Sequence, residues 1–372
     1  GHLAAIAGPG AESLQAVYDG PLVTSLSMTG VATGTVAWTY DLRFRANREE
    51  VNGAYGVDVY FDHDGLPTDI GDLSLKREPT TGRVSEASVS YDVTTTFAYT
   101  PFGEVASAVT KAGETHVLDL AFTYDVLGRI VQKKDTGVVW SYGYDLAGRL
   151  ATVKKDGASV ATYTYDANGN RLNGGATYDE EDRQLTGDGA TFTYTPNGER
   201  KTRVDGTGTT TYGYDGRGHL TSVTLPGGKT IAYGVDALGR RVSRSEDGVI
   251  THRWLFRSQL QPLAEVDASG EVTTRYVYGT KVNVPDYFVR GGVTYAVLTD
   301  QLGSVRKVVD ESSGEVVQEM TYDAWGVVTS DSNPGFQPFG FAGGVWDAAS
   351  GLVHFGAREY EPATGRWTRK DP

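Results

Sequence analysis

The chain has 372 residues, with 48 Gly, 22 Tyr, no Cys and a formal charge of −13. The absence of Cys excludes disulfide frameworks, thiolate metal sites and thiol catalysis, and the acidic balance argues against duplex nucleic acid or an anionic membrane as partner, since both need a basic face. Aromatic residues at 11% exclude a disordered chain, there is no Gly-X-Y period to suggest collagen, and no apolar run approaches the ~20 residues of a membrane helix.

The start, Gly1-His2-Leu3, has no Met and no signal peptide, so the chain is expected to be a fragment. Residues 1–110 are the least regular. Tyr40-Asp41, Phe61-Asp62 with Gly65, Thr81-Gly82-Arg83 and Tyr99 with Gly103-Glu104 read as degenerate copies of a motif that is clear further on. Residues 111–294 carry that motif. Tyr124-Asp125-Val126-Leu127-Gly128-Arg129 recurs twenty residues later as Tyr144-Asp145-Leu146-Ala147-Gly148-Arg149, and again as Tyr165-Asp166-Ala167-Asn168-Gly169-Asn170-Arg171. Weaker copies follow at Tyr178-Asp179, Tyr194 with Gly198, Tyr214-Asp215 with Gly218, and Val235-Asp236 with Gly239-Arg240. A fixed spacing near twenty marks a repeat architecture. In residues 295–372 the texture changes to a dense mixture of Gly and aromatic residues.

Each repeat predicts a β-hairpin. Aromatic residues alternate before the Asp, as in Phe122 and Tyr124 or Tyr142 and Tyr144, which is the period of a half-buried strand. The Asp side chain can bond the backbone two residues on and start a turn. The Gly stands where a short hairpin loop needs positive φ. The Arg opens the return strand within reach of the Asp. The predicted class is therefore all-β, built of many consecutive hairpins.

Outside the repeats, little suggests chemistry. The six His are scattered singly, without metal spacing. Asp62-His63-Asp64-Gly65 with Asp69 and Asp72 faintly resembles a calcium loop, but the Gly comes too early and no Glu closes it. No phosphate loop, dinucleotide fingerprint or Gly-x-Ser-x-Gly occurs, so no cofactor or metal is expected.

The repeats resemble the tyrosine-aspartate (YD) repeat, or Rhs, family. Residues 295–372 resemble its Rhs-associated core, through Asp300-Gln301-Leu302-Gly303-Ser304, Tyr322-Asp323-Ala324-Trp325-Gly326, Phe339-Gly340-Phe341-Ala342-Gly343 and Arg358-Glu359-Tyr360-Glu361-Pro362-Ala363-Thr364-Gly365-Arg366-Trp367, ending in Asp371-Pro372. The resemblance implies that the hairpins wind into a spiral, shell-like sheet, with the C-terminal core segment curling in as a plug: a hollow β-shell around a toxin or effector polypeptide encoded C-terminal to the core, or a contact with another shell component. It also implies a secreted or cell-surface location without membrane insertion. Two other readings stay open: a teneurin-like adhesion scaffold without cargo, and a carbohydrate-binding β-repeat module that uses the repeat Tyr residues.

The same resemblance supplies the one candidate catalytic set: Arg358, Glu359 and Asp371. In self-cleaving members, an Arg followed by an acidic residue, with the Asp of Asp-Pro thirteen residues after the Arg, is tied to cleavage beyond the core. The implied chemistry is of aspartic-protease type, in which two close carboxyls share a proton. Arg358 would hold a carboxylate ionised or steady the oxyanion. Glu359 is one methylene longer than the Asp found there in other members. No turnover enzyme is expected, only a single self-cleavage in a longer chain.

Overall fold

The computed structural model describes residues 4–8, 12–90 and 92–370. Among the described residues, strands in chain order pair only with their sequence neighbours, and the pairs are antiparallel. One 16-stranded sheet runs from Ala5–Ala7 to Ala158–Thr162, a second from Thr177–Tyr178 to Val328–Asp331, and a four-stranded sheet from Val345–Asp347 to Arg366–Trp367. The only helical segments among the described residues are the short 3-10 turns Asn173–Gly175 and Phe341–Gly343. The all-β prediction is thus met. The chain divides into two compact units, residues 75–209 and the remainder.

The sequence motif explains this regularity bond by bond. In the repeat at Tyr144, the backbone closes a tight turn: Asp145 N–H donates to Arg149 O (2.9 Å) and Gly148 N–H to Asp145 O (2.9 Å). Asp145 Oδ1 accepts from the N–H groups of Ala147 and Arg149, and Oδ2 accepts from Arg149 Nε at 2.7 Å. Gly148 has φ +81°, a conformation in which a Cβ is strained. The register slips by one between Gly143 and Tyr144, which is the bulge that a turn of this length imposes. The same set recurs at Asp41–Arg45, Asp125–Arg129, Asp179–Arg183 and Asp236–Arg240. Where the Arg is replaced, a substitute donor takes its place: Asn170 Nδ2 to Asp166, and His219 Nδ1 to Asp215.

Two further links join successive repeats. The Tyr144 hydroxyl donates to Ile130 O (2.6 Å), at the start of the previous return strand. Tyr124, Tyr165, Tyr178 and Tyr194 do the same to Val105, Leu150, Arg171 and Gln184. The motif Arg lies over the next aromatic ring, as Arg129 does over Tyr144 (4.5 Å) and Arg149 over Tyr165 (4.5 Å). Tyr therefore serves through its hydroxyl as well as its ring. The apparent calcium loop belongs to this pattern too: Asp62 Oδ1 accepts from the N–H groups of Asp64 and Leu66, as Asp145 Oδ1 does from Ala147 and Arg149. Among the described residues, no group of His, Asp and Glu is arranged to hold a metal ion.

In the larger unit, Trp254, Leu255, Phe256, Leu263, Tyr276, Phe288, Met320 and Phe339 share one apolar core. The Tyr276 ring meets Phe339 edge-on at 5.2 Å, which ties the segment after the second sheet into that core.

Candidate functional site in the C-terminal core

The four-stranded sheet is built of two tight hairpins and a short return. Leu352–Phe355 pairs with Arg358–Glu361, which places His354 opposite Glu359; Arg358–Glu361 then pairs with Arg366–Trp367. Side chains alternate across a strand, so Arg358 and Glu359 part company. Arg358 lies over the Trp367 ring at 4.2 Å, on the face where Tyr360 also meets Trp367. Glu359 turns to the other face and is 1% exposed.

There it meets residues far away in sequence. Glu359 Oε1 accepts from Arg241 Nη2 (2.7 Å) and His354 Nδ1 (2.9 Å), while buried Oε2 has no hydrogen-bond partner. Arg241 is itself buried, and its guanidinium lies 3.6 Å from the centre of the Tyr233 ring. The Tyr233 hydroxyl donates to Asp347 Oδ2 (2.7 Å), which also accepts from Arg244 Nε (2.8 Å). Leu352 completes the contact by entering the apolar cluster of Tyr212, Leu220, Val223, Ile231 and Tyr233. The strands Thr230–Val235 and Arg241–Glu246 are thus the floor on which the C-terminal sheet is clamped.

Charge balance follows from this geometry. Burial pushes the Glu359 pKa up, but the His354 hydrogen bond and the charges of Arg241 and Arg369 outweigh it, leaving a net lowering. Burial, reinforced by Arg241, pushes His354 below the ordinary His range despite the opposing pull of Glu359. At pH 7 the imidazole is neutral and donates through Nδ1–H, the carboxylate is ionised, and Arg241 carries the compensating charge. Asp347 follows the same pattern: burial raises its pKa, and Arg244 and Tyr233 more than reverse it.

Of the three predicted site residues, Arg358 and Glu359 stand on opposite faces of one strand, and Asp371 lies outside the described residues. The chain leading to it is tied to the site, since Thr368 N–H donates to Glu359 O (2.9 Å) and Arg369 Nη2 to Ala357 O (2.6 Å). Sequence reasoning missed Arg241, Asp347, Arg244 and Tyr233, and treated His354 as a lone His. The available signal was the doubled Arg240-Arg241, where the first Arg fills the repeat position and the second is surplus to it.

The Teneurin YD-shell family matches residues 5–372. Teneurin-3 of Danio rerio is 27% identical over 391 aligned residues, covering 95% of this chain and 14% of that protein. Teneurin-3 of Mus musculus is 30% identical over 274 residues, covering 68% of this chain and 10% of that protein. The tRNA3(Ser)-specific nuclease WapA of Bacillus spizizenii is 31% identical over 257 residues, covering 67% of this chain and 10% of that protein. The chain therefore spans only 10–14% of the length of these relatives. Among solved structures, the crystal structure of TcdB2-TccC3 superposes with a TM-score of 0.75 at 16% identity, over 97% of this chain and 23% of that one. The likeness to that structure is one of fold.

Proposed function

Since the chain belongs to the Teneurin YD-shell family, we propose that it is a length of shell wall: a non-enzymatic β-scaffold, secreted or at the cell surface, whose core segment 295–372 holds a C-terminal effector polypeptide. The observation that carries this reading is the clamp at the chain's C-terminal end. Glu359 and Asp347 are joined by buried ion pairs to Arg241 and Arg244, more than 100 residues earlier. Such a clamp fixes the point from which a following polypeptide would emerge. The test appends a small folded reporter after Pro372 and follows its digestion by a broad protease. Slower digestion than for the free reporter supports a holding scaffold; equal rates favour an adhesion scaffold without cargo.

A second reading rests on Glu359 itself. A buried carboxylate with one unpartnered oxygen is the kind of group a single self-cleavage would use, with Arg358 and Asp371 as the other members of the set. Extending the chain with the sequence that follows Pro372 in its gene, then comparing masses of wild type and Asp371→Asn, tests it. Cleavage of the wild type alone supports the reading, and an intact wild type retires it.

A further inference from the structure

The turn after Phe256 inverts the chemistry of the repeat. Arg257 N–H donates to Gln261 O (3.0 Å), the bond that Asp145 makes to Arg149, and the register slips between Leu255 and Phe256 as it does before Tyr144. Arg257 therefore stands at the repeat Asp position and Gln261 at the repeat Arg position. Their side chains still bond, but Arg257 Nε donates to a neutral amide, Gln261 Oε1 (3.0 Å). The carboxylate that balances the Arg in the turn at Asp145 is missing here.

Glu49 is the one carboxylate within ion-pair distance of Arg257 among the described residues, and it is already engaged. Its Oε1 accepts from buried Arg275 Nη2 (2.7 Å) and its Oε2 from Trp38 Nε1 (2.9 Å), while Arg257 Nη1 approaches Oε2 only to 3.4 Å. Two guanidiniums share one carboxylate, so the half-buried Arg257 carries charge in excess. Its Nη2 makes no hydrogen bond among the described residues.

This surplus charge stands at the wall of an apolar cavity of about 340 Å3 that opens to solvent. The cavity exists because small residues meet on one face of the first sheet. Ala16 N–H donates to Ala4 O (2.8 Å), and Ala16 lies opposite Leu26, so the floor is low between the taller side chains of Ile6, Trp38 and Tyr40. The Tyr40 hydroxyl is spent on Val23 O (2.6 Å) and the Trp38 N–H on Glu49.

We propose that this cavity binds a small amphipathic carboxylate, whose apolar body fills the hollow over Ala4 and Ala16 and whose carboxylate meets the Arg257 guanidinium. An apolar wall with a single convergent charge is the ordinary make-up of a small-molecule site. At ~30 Å3 for each water-sized group, the cavity has room for about ten non-hydrogen atoms. The planar guanidinium pairs with a carboxylate through parallel hydrogen bonds. A neutral ligand of the same length would leave the surplus charge unanswered, and a cation would be repelled. The site is independent of the shell-wall reading, since none of its parts belongs to the C-terminal clamp.

Calorimetric titration of the whole chain at pH 7 tests the proposal, with octanoate, octanol, octylammonium and acetate as probes, each below the concentration at which it forms micelles. The expected result is saturable binding of one octanoate per chain, octanol weaker by at least about tenfold, and no saturable binding of octylammonium or acetate. Arg257→Gln should weaken octanoate by about tenfold and leave octanol unchanged, and Arg257→Lys, which keeps the charge, should recover part of the loss. Ala16→Leu fills the hollow and should weaken octanoate and octanol together. Thermal unfolding of each variant without ligand shows that it is folded. Octanol binding as tightly as octanoate would make the cavity a plain apolar patch and overturn the proposal. So would octanoate binding that Ala16→Leu leaves intact, or a dimer in sedimentation that Ala16→Leu dissociates, which would give the face to a second copy of the chain.

Discussion

The repeat hairpins and the C-terminal core use the same residue types in opposite ways. In the repeat turns at Asp41, Asp125, Asp145 and Asp179, Asp and Arg meet four positions apart and half-open: the side chains of Asp145 and Arg149 keep 26% and 32% of their exposure. In the core, Glu359 and Arg241 meet across 118 positions with 2% and 4% exposure. An open pair gains little beyond the water it displaces. A buried pair cannot lose one member without stranding the other. The repeats are thus held by many small local terms, and the core by a few non-local ones that act as a unit.

The sharpest way to break this contrast is to remove one partner in each place. Arg241→Ala is expected to cost about 3–5 kcal/mol, since it leaves Glu359 charged and unpaired in the interior. Arg149→Ala should move the unfolding midpoint far less. Urea titration of both variants decides the matter, and comparable shifts would erase the distinction. Glycine offers a second comparison. Gly148 and Gly326 both have positive φ, at +81° and +90°, but a Cβ on Gly326 would also overlap the Phe341 ring. Gly148→Ala should cost about 1–2 kcal/mol for the backbone alone. Gly326→Ala should cost about 2–5 kcal/mol, because steric overlap is added to it. Thermal unfolding compares the pair.

Smaller effects sharpen the picture. Tyr144→Phe keeps the ring under Arg129 but removes the hydroxyl that donates to Ile130 O, so about 1 kcal/mol should be lost. The mildest lever is pH. His354 has a lowered folded-state pKa, so the unfolded chain takes up its proton first as pH falls. Stability from this group is full above about pH 6.5 and declines below it, toward the folded-state value. Glu359 and Asp347, also lowered, contribute fully above the usual carboxylate range and lose that contribution as pH falls through their folded-state values. A core that loosens in two steps, with the upper one absent in His354→Gln, is the expected denaturation profile.

The same contrast explains what could be read from sequence. The hairpin turn was legible because all of its bonds lie within five residues: Asp145 names its own donors, and Gly148 names its own φ. The Tyr–carbonyl latch was hidden because nothing in an alternating aromatic pattern shows where a hydroxyl points. Glu359 was noticed only through resemblance, its partner Arg241 was not noticed at all, and His354 was read only as one of six scattered His. Arg241 looks like a repetition of the repeat Arg240, and only the folded chain brings it under the C-terminal sheet. Alternation within the strand Arg358–Glu361 was predictable in principle and would have separated Arg358 from Glu359 on sequence alone.

The central claim is that buried, non-local ion pairs clamp the C-terminal core while the repeats hold themselves. Hydrogen exchange resolved along the chain, on wild type and Glu359→Gln at pH 7, tests it most directly. The expected result is faster exchange confined to the strands between Val345 and Trp367 and to their floor, Thr230–Val235 and Arg241–Glu246, with the hairpins from Val105 to Thr162 unchanged. Unaltered protection in the C-terminal strands, or an equal loss of protection along the whole chain, would contradict it.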